Sequence, residues 1–298
     1  MHYNKEVGIT YRCPKCKAPF GFGKVLDANF CLHCGYKIVL FKGIPLLVKD
    51  YGMIEHRIEK AIKSNSVSWY KDHQMKQWEG PYRHHLNKRK IYVENVLSAY
   101  GQRSTHRLTG LDLGCGDGSN FFWLRQYFKL FYASDYNLVR LVRAMRIPAI
   151  TQIFLADVLN YPTVDDSFDL IFFNHVLEHI DDDIGALSEV HRILKPRGLL
   201  ILGVPNEGAF FWQLAYKLQS QVLSTSDHVH FYTEETISNK CREVGFNLLE
   251  ISPIGWGLPH WTLDSFVRRF KWVDDLFEVV GRALIPTQAT SLYLILEK

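Results

Sequence analysis

The sequence lacks any apolar run near the roughly 20 residues that a membrane-spanning helix needs. It also lacks the apolar core of a secretory signal peptide, because it begins with the polar stretch MHYNKEVG. Internal repeats and low-complexity tracts are absent as well. These absences argue against membrane-spanning, secreted and repeat proteins, and they predict a cytoplasmic protein.

A large excess of charge is missing too. The 298 residues carry 35 lysines and arginines against 31 aspartates and glutamates, a formal net charge of +4. This charge is too small to indicate a nucleic-acid binder by itself. The hydrophobic content of 47% excludes a disordered chain and predicts a folded protein with a substantial core.

Four of the six cysteines form two C-x-x-C pairs near the start of the chain. CPKC contains Cys13 and Cys16, CLHCG contains Cys31 and Cys34, and residues 17–30 separate the pairs. In a reducing compartment this spacing indicates metal binding rather than disulfides, although four unrelated buried thiols remain the alternative. Four thiolates close a tetrahedral zinc site and leave no position for catalysis. We therefore predict a structural zinc ribbon over residues 1–50, folded by its metal.

Two further regions follow the cysteines. Residues 51–105 have a helical pattern with mixed charge, which predicts a helical linker and lid. From residue 106 to 298, apolar strand runs alternate with helical runs, which predicts an α/β domain with a parallel sheet covered on both faces. Strands are predicted at residues 108–113, 130–135, 153–157, 169–174 and 198–204. Helices are predicted at residues 120–128, 137–146 and 181–194.

The stretch LDLGCGDGSN, at the end of the first predicted strand, contains three glycines at alternate positions. Gly114, Gly116 and Gly118 let the backbone turn sharply and let a ligand approach atoms that a Cβ would cover. Asp135 lies 19 residues after Gly116 (135 − 116), at the end of the second strand, where carboxylates bind ribose hydroxyls. The alternative role of Asp135 is an N-cap of the following helix.

The glycine pattern differs from that of a dinucleotide site, since Ser119 stands where G-x-G-x-x-G requires its third glycine. An acidic residue followed by G-x-G-x-G resembles the first motif of class I S-adenosylmethionine-dependent methyltransferases, in particular the type 11-like members. Asp112, Gly114, Gly116 and Gly118 match that motif. The similarity extends to ASDYN, FLADVLNYP, FDLIFFNHVLEHI, LSEVHRILKPRGLLILGVPN and HFYTEETISNKCREVGF.

The resemblance implies an enzyme with a Rossmann-like fold that uses S-adenosylmethionine as cofactor. Its sheet would have seven strands with an antiparallel last strand, and FNLLEISPI and TSLYLILEK suit the final two strands. The turn after the first strand would hold the methionine end of the cofactor, Asp135 the ribose, and Asp157 the adenine. The cofactor-binding residues implied are Asp112, Gly114, Gly116, Gly118, Asp135, Asp157, Val158 and Asn174, the last beside the sulfonium.

Four histidines fall on segments expected at the active face: His175, His179, His228 and His230. Histidine suits removal of a hydroxyl proton near neutral pH, so each is a candidate general base. Structural roles remain an alternative, and the spacing of His175 and His179 also allows metal binding. We predict O-methylation of a small-molecule, glycan or lipid-linked acceptor, because the histidine-bearing C-terminal pattern resembles bacterial methyltransferases with such acceptors.

An insert at about residues 255–288 separates the last two predicted strands. Its apolar residues recur at helical spacing, which predicts an amphipathic helix packed as core against the domain. The alternative is a lid or a peripheral membrane contact, with Arg268, Arg269 and Lys271 facing acidic headgroups. Two rival functions stay open: an RNA methyltransferase that grips nucleic acid with its ribbon and the basic run YRHHLNKRK, and a non-catalytic cofactor-binding scaffold.

Overall fold

The computed structural model describes residues 8–20, 30–52, 56, 74–103, 108–148, 150–219 and 227–298. The strands within these residues are β1 (Tyr11–Arg12), β2 (Pro19–Phe20), β3 (Val39–Phe41), β4 (Ile44–Leu46), β5 (Thr109–Leu113), β6 (Leu130–Asp135), β7 (Gln152–Leu155), β8 (Phe168–Asn174), β9 (Leu194–Pro205), β10 (Asn247–Ile254) and β11 (Ser291–Glu297). Strands β1 and β2 pair with each other near the cysteines, and the other nine form the main sheet.

The main sheet has the strand order β10-β11-β9-β8-β5-β6-β7-β4-β3. Strands β5 to β9 run parallel, and β11 lies antiparallel between β9 and β10. The predicted α/β class, Rossmann-like sheet and antiparallel last strand are confirmed. The sheet is wider than the seven predicted strands, because Leu46 of β4 pairs with Leu155 of β7 and β3 pairs with β4.

Helices cover both faces of this sheet. They are α1 (Arg83–Arg103), α2 (Phe121–Leu124), α3 (Leu138–Ala144), α4 (Asp183–Ile193), α5 (Phe210–Leu218), α6 (Glu234–Glu243), α7 (Trp261–Val267) and α8 (Lys271–Leu284). Phe173 of β8 packs in one core with Leu187 of α4 and Ile237 of α6. Its neighbour Phe172 packs in a second core with Val93 of α1. Both faces of β8 are thus buried, as parallel strands require.

Side-chain caps fix the starts of α3, α4 and α6. Asn137, Asp182 and Thr233 accept hydrogen bonds from backbone amides in the first turns of α3, α4 and α6. The third predicted strand ends at Leu155 rather than at residue 157, because Asp157 caps a short 3-10 turn. The remaining predicted strands lie within a few residues of the observed ones.

The cysteine-bearing segment is tied to the main sheet. Tyr11, Ile38 and Leu47 are buried in the same core as Phe154 of β7. The division of the chain at residues 50 and 105 stays a prediction. Within the predicted linker and lid, residues 53–55, 57–73 and 104–105 lie outside the described part of the chain.

The insert between β10 and β11 forms two helices, α7 and α8, rather than one. The prediction that its apolar stripe packs as core is wrong for most of the stripe, although Val273 is buried and Val267 and Phe277 are half-buried. Leu263, Phe266, Phe270 and Leu284 are 54%, 57%, 51% and 75% exposed. In the part of the chain that the structure describes, no helix combines the length and the apolar character needed to cross a membrane.

Charged residues form the inner side of the insert. Arg268 is buried and lies 2.9 Å from Asp274 and 3.6 Å from Asp264, so it does not face headgroups as the membrane alternative expected. Lys88 of α1 reaches Asp274 at 2.6 Å. Because buried charges are stable only with partners, this network fixes which side of α7 and α8 faces the domain. Much of the apolar side of the insert faces outward, including Leu263, Phe266 and Leu284.

Candidate functional site

The glycine turn after β5 packs too closely for side chains. Gly114, Gly116 and Gly118 have φ values of +76°, +56° and +78°, in the left-handed region that favours glycine. A Cβ on Gly114 would overlap Val176, and a Cβ on Gly116 would overlap the side chain of Gln74. The turn therefore brings the backbone into direct contact with the segment that follows β8.

A short 3-10 helix, Gln74–Trp78, lies against the same turn. The amide of Gln74 donates to Oδ2 of Asp117 at 2.7 Å, and the amide of Asp117 donates to Oε1 of Gln74 at 3.2 Å. This reciprocal pair holds residues from the predicted lid region at the glycine turn.

Asp135 stands at the end of β6 with both carboxylate oxygens engaged. Oδ2 accepts from the amide of Gly116 and Oδ1 from the amide of Asn137, each at 2.7 Å. Burial raises the pKa of Asp135, while these two hydrogen bonds oppose the shift. A carboxylate offers about four lone-pair sites, so two remain for ribose hydroxyls.

Asp112 is the acidic residue before the turn and is fully buried. Its Oδ2 has no hydrogen-bond partner among the described residues. Burial and the charge of Asp135 raise the pKa of Asp112 to about 8. An orphaned carboxyl oxygen beside a glycine turn fits the ammonium group at the methionine end of the predicted cofactor.

The register of the sheet brings the predicted cofactor residues to one edge. Leu113 of β5 pairs with Ser134 of β6 and with Phe173 of β8, so Asp135 and Asn174 follow on either side of the turn. Asn174 accepts a hydrogen bond from the hydroxyl of Tyr293 at 2.7 Å through Oδ1. On the far side, Oδ1 of Asp157 accepts from the amide of Leu159 at 3.0 Å, and Val158 lies in that turn. All eight predicted residues border this edge.

His175 directly follows Asn174 at the end of β8. It has a φ of +53°, and its amide donates to the carbonyl of Gly203 at 2.8 Å. Its Nδ1 lies 3.4 Å from Oε1 of Glu178, whereas its Nε2 is buried without a hydrogen-bond partner among the described residues. Burial and the charge of Arg89 lower the pKa of His175, so the neutral ring is favoured.

His179 and His228 lie side by side beyond the same strand end, with ring centroids 4.6 Å apart. Nδ1 of His179 is 2.9 Å from Asp227, and Nδ1 of His228 is 2.7 Å from Glu207. Glu178 is buried next to both rings. Against the effect of burial, the hydrogen bond and charge of the neighbouring histidines lower its pKa.

His230 takes a different position from the other three predicted histidines. Its Nε2 lies 3.0 Å from the carbonyl oxygen of Ile180 and 3.2 Å from that of Asp181, and its ring stacks on Tyr232. These contacts engage Nε2 of His230 with backbone carbonyls of the loop after β8. His230 therefore anchors the loop after β8 rather than facing the cluster.

Glu207 and Asp227, the carboxylates that contact His228 and His179, were not predicted from the sequence. Both lie in irregular segments, one after β9 and one before α6. A signal existed in the polar runs NEG and DHVH that contain them. Their pairing with histidines depends on long-range topology, which local patterns do not encode.

The four predicted zinc ligands come together at the start of the chain. The sulfur atoms of Cys13, Cys16, Cys31 and Cys34 all lie within 4.8 Å of one another, with Cys13 to Cys34 at 3.7 Å and Cys16 to Cys31 at 3.6 Å. Zinc–sulfur bonds of about 2.3 Å place tetrahedral ligands about 3.8 Å apart. The cluster therefore fits a zinc ion.

The basic run at the start of α1 is engaged within the chain. Lys88 contacts the acidic residues of α8, and Arg83 donates to the carbonyl of Arg269 at 2.9 Å. Arg89 is hydrogen-bonded to the hydroxyl of Ser291. These contacts direct three of the basic side chains toward the protein rather than toward an external ligand.

Comparison with known proteins gives a family match. Residues 82–251, which are 170 of the 298 residues (251 − 82 + 1), match the family described as "Methyltransferase domain". The chain is 32% identical over 109 residues to malonyl-[acyl-carrier protein] O-methyltransferase of Hamiltonella defensa, covering 35% of this chain and 42% of that protein. It is 25% identical over 211 residues to cycloartenol-C-24-methyltransferase 1 of Oryza sativa, covering 61% and 56%.

Five of the curated relatives are matched over only 30 to 46% of their own length. Among solved structures, a chain from Galdieria sulphuraria assigned as a sarcosine dimethylglycine methyltransferase has a TM-score of 0.51 at 18% identity, covering 71% of this chain and 85% of that chain. A chain from Bacillus halodurans assigned as a methyltransferase has a TM-score of 0.50 at 16% identity, covering 68% and 98%. At such identities the likeness concerns the fold alone.

Proposed function

The chain belongs to the methyltransferase-domain family and is an S-adenosylmethionine-dependent methyltransferase, and from this premise we propose that it methylates an oxygen of a small-molecule, glycan or lipid-linked acceptor. One observation carries the proposal. His175 follows Asn174 at the strand end that borders the cofactor edge, with a buried carboxylate at Nδ1 and an unpaired Nε2 within the described structure. The O-methyltransferase among the relatives supports oxygen as the acceptor atom.

When bound, S-adenosylmethionine supplies a methyl group already activated as a sulfonium. The protein then contributes mainly binding and orientation, an effect that reaches about 7 to 11 kcal/mol in well-aligned systems. Asp112, Asp135 and Asp157 would hold the methionine end, the ribose and the adenine, with the backbone of Val158 beside the adenine. Asn174, fixed by Tyr293, would border the sulfonium.

His175 would act on the acceptor hydroxyl. Its Nε2 would take the hydroxyl proton of the acceptor, and Glu178 would stabilise the resulting imidazolium through Nδ1. The segment carrying His175 touches the glycine turn through Val176 and Gly114. Base and cofactor edge are therefore held against each other by direct packing.

Aromatic side chains next to the cluster support a partly apolar or sugar-bearing acceptor. Trp212 of α5 and Trp261 of α7 have ring centroids 4.7 Å apart and line one pocket with Phe211 and Leu258. Tyr216 connects this pocket to the histidine cluster by donating a hydrogen bond to Glu207. The exposed apolar side of the insert supports a lipid-linked acceptor or a peripheral membrane contact.

The rival functions make different demands on the chain. An RNA methyltransferase needs basic side chains available for phosphates, and the inward contacts of Arg83, Lys88 and Arg89 favour a smaller acceptor. A cofactor-binding scaffold needs no acceptor base. The pair of half-buried His175 and buried Glu178 favours catalysis over that role.

For the cysteine cluster we propose one structural zinc ion. The sulfur distances support tetrahedral coordination, and four thiolates leave no open position for substrate. Matching turns support it as well, because the amides of Lys17 and Gly35 donate to the carbonyls of Cys13 and Cys31 at 2.9 and 2.8 Å.

Transfer of labelled methyl groups tests the acceptor. The protein is incubated with methyl-labelled S-adenosylmethionine and separated fractions of small metabolites, lipids, glycans and RNA from a cell extract. We expect label in one of the first three fractions, attached to oxygen. Label confined to RNA would refute the proposed acceptor class, and no transfer to any fraction would favour the scaffold.

Cofactor affinity should rise with pH. The ammonium of the methionine end favours ionised Asp112, yet a carboxyl group with a pKa of about 8 is mostly protonated at pH 6. Binding at pH 6 must therefore include its ionisation, so affinity should increase about 50-fold between pH 6 and pH 8. Isothermal titration calorimetry measures this change. Asp112→Asn should flatten the profile, and a flat profile in the unaltered protein would remove Asp112 from the site.

A further inference from the structure

We infer that Glu178, His179 and His228 form a binding site for one divalent transition-metal ion, separate from the cysteine cluster. Only the catalytic role of the ion rests on the proposed methyl transfer. Binding of the ion depends on the three side chains alone. The spacing of His175 and His179 had suggested metal binding. The structure instead groups His179 with a histidine about fifty residues further along the chain.

The distances suit three ligands of one ion. One nitrogen of His179, one nitrogen of His228 and one oxygen of Glu178 all lie within 4.8 Å of one another. Glu178 is 1% exposed, and its Oε2 has no hydrogen-bond partner among the described residues. A buried carboxylate oxygen without a partner is costly, so it requires a ligand.

Each histidine is oriented by a carboxylate on its Nδ1. Asp227 lies 2.9 Å from Nδ1 of His179, and Glu207 lies 2.7 Å from Nδ1 of His228. The second nitrogen of each ring is Nε2, and Nε2 of His179 lies 4.0 Å from Oε1 of Glu178. Carboxylates at the outer nitrogen of metal-bound histidines are a regular feature of metal sites, because they fix the tautomer and strengthen the ligand.

The backbone builds this arrangement from two separate segments. Glu178 and His179 lie on the 3-10 turn Leu177–His179, directly beyond β8. The carbonyl of Glu178 accepts from the amides of Val229 and His230 at 2.9 and 3.3 Å. These bonds fix the extended segment that carries His228 beside the turn, and so they bring the second histidine to the first.

The ligand set indicates the class of metal. Two imidazoles and one carboxylate suit Zn²⁺, Fe²⁺, Co²⁺ or Mn²⁺, whereas Ca²⁺ and Mg²⁺ prefer sites made of oxygen atoms. Three protein ligands also leave a position open, as in catalytic rather than structural sites. An acceptor hydroxyl coordinated there would have a lowered pKa, and its proton would pass to Nε2 of His175.

Cobalt uptake by the full chain tests the site. Co²⁺ bound to four thiolates has intense sulfur-to-metal charge-transfer absorption, which a histidine and carboxylate site lacks, so the two sites are counted separately. At the histidine and carboxylate site we expect the unaltered protein to bind one equivalent of Co²⁺, which shows no charge-transfer absorption. The variants Glu178→Gln and His228→Ala should bind no Co²⁺ at this site. His191→Ala is the matched control, because His191 packs against Phe246 away from the cluster, and it should keep the full equivalent.

The outer carboxylates give a graded second test. Asp227→Asn should raise the dissociation constant for Co²⁺ by about 10- to 100-fold without abolishing binding. Unchanged circular dichroism and cofactor affinity in each variant exclude misfolding. Three results would overturn the metal site: Co²⁺ bound only by the cysteines, Co²⁺ uptake only at millimolar concentration, or full Co²⁺ uptake by Glu178→Gln. Each of them does so independently of which acceptor is methylated. Cobalt binding here together with methylation of RNA alone would overturn the proposed function and leave the metal site standing.

Discussion

Cys31→Ser should release the zinc ion and unfold the cysteine segment. The turns that carry the four cysteines are short, and metal binding supplies folding energy of about 10 to 16 kcal/mol in comparable zinc-binding peptides. Residues 39–46 should also lose protection in hydrogen exchange, because β3 and β4 follow directly from the second cysteine pair. Cofactor binding should persist, since β5 to β9 carry the cofactor edge.

His33→Ala is the matched control for this experiment. His33 lies between Cys31 and Cys34 but is exposed, so its loss should leave both the zinc content and the hydrogen-exchange pattern unchanged. Elemental analysis of the unaltered protein, purified without chelator, should give zinc at the cysteine cluster. A complete lack of metal there would contradict the ribbon, as would a stable cysteine segment in Cys31→Ser.

His175→Asn should lower turnover by about a hundredfold or more while leaving cofactor affinity unchanged, because general-base catalysis contributes on that scale. Asparagine tolerates the positive φ of this position better than alanine, so the backbone is preserved. His191→Ala should retain full turnover. Single-turnover rates with the identified acceptor separate chemistry from binding, and an undiminished rate in His175→Asn would assign the base elsewhere.

The fold of the cofactor domain could be predicted because its signals are local. Alternating apolar runs mark the strands, and acidic residues end three of the four strands that border the cofactor edge. Parallel strands bring those ends to one edge of the sheet, so the sequence could predict that Asp112, Asp135 and Asp157 lie there. The roles of Asp112 and Asp157 toward the cofactor rest on the resemblance and stay predictions.

The pairing of β3 and β4 with the sheet and the orientation of the insert depend on long-range packing. Strands β3 and β4 have three residues each, too few for a periodic pattern, and β4 reaches the sheet through one pairing with β7. The insert shows helical periodicity, but periodicity does not say which side faces inward. That choice depends on the buried partners of Arg268, which come from α7 and α8 together.

The cluster of His175, His179 and His228 could be predicted from the sequence only in part. The motif NHVLEH predicted that His175 and His179 would be near each other, and the strand end placed them at the active face. Glu207 and Asp227 arrive from other segments, so the sequence could not assign a partner to either ring. The difference between a base, a metal ligand and a structural histidine lies in those partners.

The pairing of β4 with β7 also covers an outer edge of the parallel strands. A strand such as β7, with its outer amides and carbonyls unpaired, is a template for strands of other molecules. The hairpin of β3 and β4 covers that edge and replaces it with β3, a strand of only three residues flanked by Lys42. A shortened chain that begins after residue 50 would keep the cofactor edge but uncover β7, and it should form oligomers or precipitate.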